Sequence, residues 1–154
     1  MPDYIDPDQL KQNILNDMRV ELAEEFDRNF ERKAFFTRKW KPRRINRLGS
    51  LLIVTGALRR SIKAEVKGNG VAFTSNVPYA VAHNEGLSGS MSIKAHSRRR
   101  GGKVHSVRAH QRRIKLPERR FIGDGPQTQK IIRNVIEDNL KDFNVKLTNF
   151  IRQK

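Results

Sequence analysis

The sequence predicts a single α+β domain in which two long amphipathic helices flank a small antiparallel β-sheet and a long basic loop. Three observations predict this class. Apolar residues recur every three or four positions near both ends of the chain, which is typical of helices, and a central stretch alternates apolar and polar residues, which is typical of strands. A chain of 154 residues can also bury one modest core. We therefore expect one domain over 1–154, with its α+β core in 51–123.

The N-terminal helix is predicted over 6–36. Asp6 can cap it, because a carboxylate at this position accepts a hydrogen bond from a free backbone N–H, and Pro7 suits the first helical turn. We interpret the aromatic residues near its end as core or subunit contacts, not as a ligand-binding box. The apolar stripe recurs every four residues at Leu10, Ile14, Met18, Leu22, Phe26 and Phe30.

A basic connection, 37–50, follows the helix, and Pro42 opposes helix formation there. It carries six Lys or Arg residues around Trp40. Two interpretations stay open. Basic residues with an interleaved aromatic ring can bind a phosphate backbone and stack a base; alternatively, Trp40 packs back onto the core of an exposed connection.

The core segment begins with a short turn over 56–60, which Thr55 can cap and which buries Leu58. Alternating residues on both sides of a Gly-Asn-Gly turn then predict a β-hairpin over 62–76. A brief helical segment follows Pro78, and Gly86 can end it in the left-handed conformation.

The segment 87–115 carries nine Lys or Arg residues and no acidic residue. Ile93 and the pair Ile114 and Leu116 can start and close a second hairpin. We expect 97–113 to be a long mobile loop, because its charges repel one another and it has little apolar surface to bury. Its basic residues form the predicted interaction surface: Arg98, Arg99, Arg100, Lys103, Arg108, Arg112 and Arg113.

The C-terminal helix is predicted over 126–152. Pro126 suits its first turn, and apolar residues follow at spacings of three and four, at Ile132, Val135, Ile136, Leu140, Phe143, Leu147, Phe150 and Ile151.

Charge is distributed unevenly along the chain, whose net charge is +16. Residues 1–31 hold nine acidic and three basic residues, whereas 32–123 hold 23 basic and three acidic ones. Such opposite poles indicate either a nucleic-acid surface beside a neutralising helix, or subunits that stack positive to negative.

Several classes of chemistry are disfavoured. The absence of cysteine excludes disulfides, thiolate metal sites and a cysteine nucleophile. His83 and Glu85 have the His-x-Glu spacing of zinc deaminases, but the cysteine ligands are missing, and the other three histidines lie among arginines that oppose cation binding. Motifs for phosphate-binding loops, nucleophile elbows and zinc proteases are absent. We expect no enzyme activity, no cofactor and no small-molecule substrate. Without a long apolar run or a signal-like start, we also expect no membrane partner.

Three segments, in order, resemble signatures of the phage virion morphogenesis family, the Mu-like tail-completion proteins: LLIVTGALRRSI, YAVAHNEG and LPERRFIG. The resemblance covers about 48–152. It departs from the family pattern at Glu85, where an aromatic residue is expected, and at Arg120, where a second proline is common. The matching positions are Thr55, Gly56, Leu58, Ser61, Ile62, Tyr79, Ala80, His83, Gly86, Pro117, Arg119, Phe121 and Gly123.

The resemblance implies a structural protein of the virion, present in the host cytoplasm during assembly, that completes the tail or joins it to the head. As partners we expect further copies in a ring and other tail or neck proteins. The alternative is a sequence-nonspecific nucleic-acid-binding protein, which the charge alone supports. For the basic loop we favour an acidic protein neighbour, such as the 1–31 helix of the next subunit, over the DNA backbone, because the loop lacks Phe, Tyr and Trp.

Overall fold

The computed structural model describes residues 6–43 and 49–152, which confirm the predicted α+β class. Their helices are α1 (Pro7–Arg32), α2 (Ala57–Ser61), α3 (Ala80–Glu85) and α4 (Pro126–Arg152). Within these ranges the strands pair in twos, forming four separate antiparallel sheets and not one small sheet. The strands are β1 (Ala34–Phe35), β2 (Arg38–Lys39), β3 (Ile62–Lys67), β4 (Gly70–Ser75), β5 (Leu87–Ile93), β6 (His96–Arg100), β7 (Lys103–Val107) and β8 (His110–Leu116).

Helix α1 begins as predicted, with the Asp6 side chain accepting a hydrogen bond from Asp8 N at 2.9 Å. It ends at Arg32, four residues before the predicted boundary. Lys33 adopts the left-handed conformation (φ 53°, ψ 43°), and its N–H donates to Asn29 O, which closes the last turn. The chain then reverses through the short β1–β2 pair, so the first residues of the predicted basic connection belong to a strand. Residues 44–48 of that connection lie outside the described residues.

The core lies between α1, α2, α3 and the segment that precedes α4. The Phe30 ring is fully buried, with its centroid 5.0 Å from that of Phe121 and 5.8 Å from that of Trp40. Trp40 is buried, and its Nε1 donates to Arg120 O at 2.6 Å. Of the two interpretations of this tryptophan, the structure therefore supports packing onto the core, since a buried ring cannot stack a base.

Helix α4 runs back along α1 in the antiparallel direction. Just before α4 the backbone of Gly125 lies against the Phe35 ring, and at the middle of α4 the side chain of Asn139 donates to Asp17, in the N-terminal half of α1, at 2.8 Å. Val135 is buried in the contact between the helices. On the other side of α1, Phe26 packs edge-to-face on Phe73 of β4, with ring centroids 5.0 Å apart. The predicted hairpin over 62–76 is confirmed as β3–β4.

The segment 97–113 is not a long loop, and that prediction is wrong. Strands β5 and β8 pair from Leu87↔Leu116 to Ile93↔His110, and β6 and β7 continue in the same register as far as Arg100↔Lys103. Two glycines with positive φ, 101 and 102, form the two-residue turn at the tip. Cross-strand hydrogen bonds satisfy the backbone of this hairpin although its side chains are exposed. We call residues 87–116 the basic arm.

Candidate functional site

The three motif segments meet in one place, which we call the motif cluster: residues 55–62, 79–86 and 117–123. Leu58 of α2, Ala80 of α3 and Phe121 all lie in the core beneath Phe30 and Trp40. Segments about 60 residues apart in sequence thus share one packed centre.

The segment 117–123 belongs to no strand, so its backbone lacks ladder hydrogen bonds. Helix α3 supplies hydrogen bonds to it instead. The Asn84 side-chain oxygen accepts from the backbone N–H of Phe121 at 2.9 Å and of Ile122 at 3.1 Å. The His83 carbonyl accepts from Arg119 N at 2.8 Å. These bonds satisfy backbone groups that burial would otherwise leave unpaired. Asn84 was not among the predicted site residues, because an asparagine in a short helix has no periodicity that marks it as buried.

Arg119 is buried, which is unusual for an arginine. Its Nε donates to Lys41 O at 3.0 Å and its Nη2 to Pro42 O at 3.4 Å. Burial, together with the nearby positive charge of Arg43, lowers the pKa of Arg119. Through these two hydrogen bonds the guanidinium holds the basic connection against the motif cluster. The role of Arg119 is therefore structural.

Asn29 of α1 performs a similar task and was also missed. It is fully buried; its Nδ2 donates to Phe121 O at 3.1 Å, and its Oδ1 accepts from Phe36 N at 2.8 Å. The only sequence signal for the burial of Asn29 is its position beside Phe30, a residue of the predicted apolar stripe.

Gly86 lies where the arm leaves the motif cluster. Its φ of 80° is positive as predicted, but its ψ of 164° is extended, so α3 ends without the left-handed helical turn. A Cβ built here would lie 2.9 Å from Glu118 N and 3.1 Å from Leu116 O. Glycine is required because the two ends of the arm lie too close together at this point to leave room for a side chain.

The remaining motif residues support the local turns. Thr55 Oγ1 accepts from Ala57 N at 3.3 Å, but the N-cap of α2 is Gly56 and not the predicted Thr55. Ser61 Oγ donates to Leu58 O and bonds Ser75 Oγ, both at 2.7 Å, which ties α2 to β4. Gly123 O accepts from the Thr128 hydroxyl at 3.0 Å. Ile62 and Pro117 are half-buried, Gly56 is buried, and Tyr79 is exposed.

A cleft of about 210 Å³ opens beside the motif cluster, lined by residues that include Tyr79, His83 and Arg119. His83 Nδ1 is buried without a hydrogen-bond partner among the described residues, and burial lowers the pKa of this imidazole, with a smaller effect from the Arg119 charge. The lining residues include no carboxylate, so His83 has no acidic partner there to orient it as a general base. The described part of the chain also holds no group of three side chains suited to bind a metal ion.

An ion pair that the sequence did not reveal joins α1 to α2. The Arg59 guanidinium donates to both carboxylate oxygens of Asp27 and to Glu31 Oε1, the last at 2.7 Å. Hydrogen bonds to Asp27 and then Glu31 raise the pKa of Arg59. Part of the acidic pole on α1 is therefore neutralised within the chain.

The basic arm projects from the motif cluster as a second candidate site. All seven predicted surface cations are exposed, three of them on β6. Across the ranges that the structure covers, none of them forms an ion pair. None of the helices described is long and apolar enough to span a membrane.

Comparison with known proteins gives one match. Residues 10–141 match the family model described as the phage virion morphogenesis family. The match also covers α1 from Leu10 onwards, a region that the three motif segments did not include. No curated protein and no solved structure matches the chain.

Proposed function

We propose that this chain, which belongs to the phage virion morphogenesis family, completes the phage tail or joins it to the head as a ring-forming subunit. The family is structural, and membership itself places the protein in virion assembly. The finer role is our proposal, and the family match over residues 10–141 is the observation that carries it. The protein would act in the host cytoplasm during assembly.

A structural role, with no enzyme activity, is supported by the contacts of the motif residues, which serve packing and backbone hydrogen bonding. Leu58, Ala80 and Phe121 build the core, Arg119 donates hydrogen bonds to backbone carbonyls, and Gly86 permits a close approach of two backbone segments. Such residues specify a shape. His83, which lines the cleft, has no acidic side chain among the other lining residues.

Self-association is supported by apolar surface that the described chain leaves uncovered on α1 and on α4. A groove of about 280 Å³ along α1 is lined by Leu10, Ile14 and Met18, which are only half-buried. On α4, Leu140 is 40% and Ile151 is 63% exposed, both at the edge of the helix's apolar stripe. Exposed apolar patches of this kind mark protein interfaces, and a second copy is the occupant that ring formation requires.

Light scattering of the purified protein tests this proposal, alone and with tail proteins of the same phage. We expect an oligomer, and we expect the double change Leu140→Glu and Ile151→Glu to dissociate it. Val145→Glu is the matched control, because Val145 is 59% exposed on the same helix but lies about 140° around it from Leu140. A wild-type monomer under both conditions, or equal dissociation by the control, would contradict ring formation through this face.

Electron microscopy of particles assembled without this protein tests the tail role. We expect heads and tails that remain unjoined, or tails of incomplete structure. Normal particles with joined tails would rule out the role.

A further inference from the structure

We propose that the basic arm binds the backbone of double-stranded DNA without sequence preference. This inference goes beyond the assembly role and does not depend on ring formation. It also replaces the acidic protein neighbour that the sequence alone favoured for this segment.

The first argument is the uncompensated charge of the arm. Its nine Lys or Arg residues occur without any acid, and they form no ion pair with described residues. At the tip, Arg100 and Lys103 lie directly opposite each other, and like charges in this position destabilise a strand pair. A two-stranded hairpin is only marginally stable by itself. A bound polyanion removes this repulsion, so binding and arm stability are coupled.

The second argument concerns which polyanion fits. The acidic helix α1 of another copy is a poor candidate, because many of its carboxylates already have partners. Asp27 and Glu31 bind Arg59, Glu25 binds two arginines of α1, and Asp17 accepts from Asn139. A DNA duplex, by contrast, presents a phosphate for each 1.7 Å or so of its axis.

The third argument is shape. The major groove of B-DNA admits a two-stranded β-ribbon, and the 14 residues from Leu87 to Arg100 extend about 45 Å if the arm is straight. Because side chains alternate along a strand, Arg98 and Arg100 point to one face of β6 and Arg99 to the other. Both faces of the arm therefore present positive charge that can contact phosphates. Serine hydroxyls along β5 supply further phosphate donors, at Ser88, Ser90 and Ser92.

A preference for double-stranded over single-stranded DNA follows from the aromatic content of the arm. The arm contains no Phe, Tyr or Trp, and Trp40, the one tryptophan of the chain, is buried in the core. Base stacking, which dominates the binding of single strands, is therefore not available to the arm. Phosphate contacts, which carry no sequence information, remain.

Fluorescence anisotropy with two labelled 30-base-pair duplexes of unrelated sequence, over a range of salt concentrations, tests the proposal. We expect equal affinity for both duplexes. The triple change Arg98→Ala, Arg99→Ala and Arg100→Ala should weaken binding at least about tenfold at low salt. It should also reduce the slope of log K against log salt by about 2 to 3, since each phosphate contact contributes about 0.9.

The matched control removes three positive charges outside the arm: Lys63→Ala, Lys67→Ala and Lys130→Ala, all at exposed positions. A second variant with lysine at positions 98, 99 and 100 keeps the charge and should retain the wild-type slope. Melting curves of all variants check that they fold. Equal losses in the control and the arginine-to-alanine variant would show that net charge alone drives binding and would overturn the proposal. So would an arm variant that binds DNA normally but no longer self-associates, because that result would assign the arm to a protein partner.

Discussion

Replacing Gly86 with alanine should destabilise the protein by about 3 kcal/mol or more. Its backbone, at φ 80° and ψ 164°, lies in a region that essentially only glycine populates, and the conformational cost for another residue is about 1–3 kcal/mol. The added Cβ would also lie 2.9 Å from Glu118 N and 3.1 Å from Leu116 O. These are backbone atoms of Leu116, the last residue of β8, and of Glu118 just after it, so relief requires moving the backbone at the base of the arm, and overpacking of this kind costs about 1–3 kcal/mol more.

Urea and thermal unfolding, followed by circular dichroism, measure this loss. The control is Gly68→Ala in the β3–β4 turn, where φ is 61° but no atom lies within 4 Å of the added Cβ; it should cost only about 1–2 kcal/mol. In a protein of this size 1 kcal/mol shifts Tm by about 2–4 °C, so Gly86→Ala should lower Tm by about 6 °C or more. Equal midpoints for the two variants would show that the close backbone approach at Gly86 has no energetic effect. Gly123→Ala should be milder than Gly86→Ala, because its nearest new contact, Arg120 Cδ at 3.1 Å, belongs to a flexible side chain.

Three further predictions concern side chains. Because burial lowers the pKa of His83, the folded protein binds this proton less readily than the unfolded chain, whose histidine titrates near pH 6.5. Stability should therefore be lost as pH falls below about 6.5, and His83→Gln should reduce that loss in melts at pH 7.5 and 5.5; an unchanged pH response would contradict this. Arg119→Met should cost about 1–2 kcal/mol in urea unfolding by removing its hydrogen bonds to Lys41 O and Pro42 O, whereas the exposed Arg112→Met should change little, and equal effects would refute the role of Arg119. Arg59→Lys should cost about 1 kcal/mol, since lysine cannot bind a carboxylate in bidentate fashion, and the loss should shrink at high salt; a loss independent of salt would exclude an electrostatic origin.

The local elements could be predicted because the information for them is local. The apolar spacing of α4 and of most of α1, and the glycine turn between β3 and β4, depend on residues within a few positions of one another. Helix α4 accordingly has its predicted bounds, whereas α1 ends four residues early, at a turn that the left-handed Lys33 sets. The residues of the motif cluster could be predicted, but their proximity could not. The sequence showed three separate segments, and only the fold brings Leu58, Ala80 and Phe121 together.

Local patterns were enough to predict the α+β class, the two long helices, the β3–β4 hairpin and the concentration of positive charge in one segment. They also predicted a second hairpin that includes Ile93, Ile114 and Leu116, and the pairing of β5 with β8 confirms it. Only the fold shows that this hairpin continues through 97–113 and which polar residues hold the core. The outer part of the arm, 97–113, buries almost none of its side chains and shows little apolar alternation, so its strands are specified by backbone pairing and by the turn at its tip. Asn29 and Trp40 bond to carbonyls 80 or more residues away. A buried polar group must find a partner wherever the fold places one, and nothing near it in the sequence reveals which partner that is.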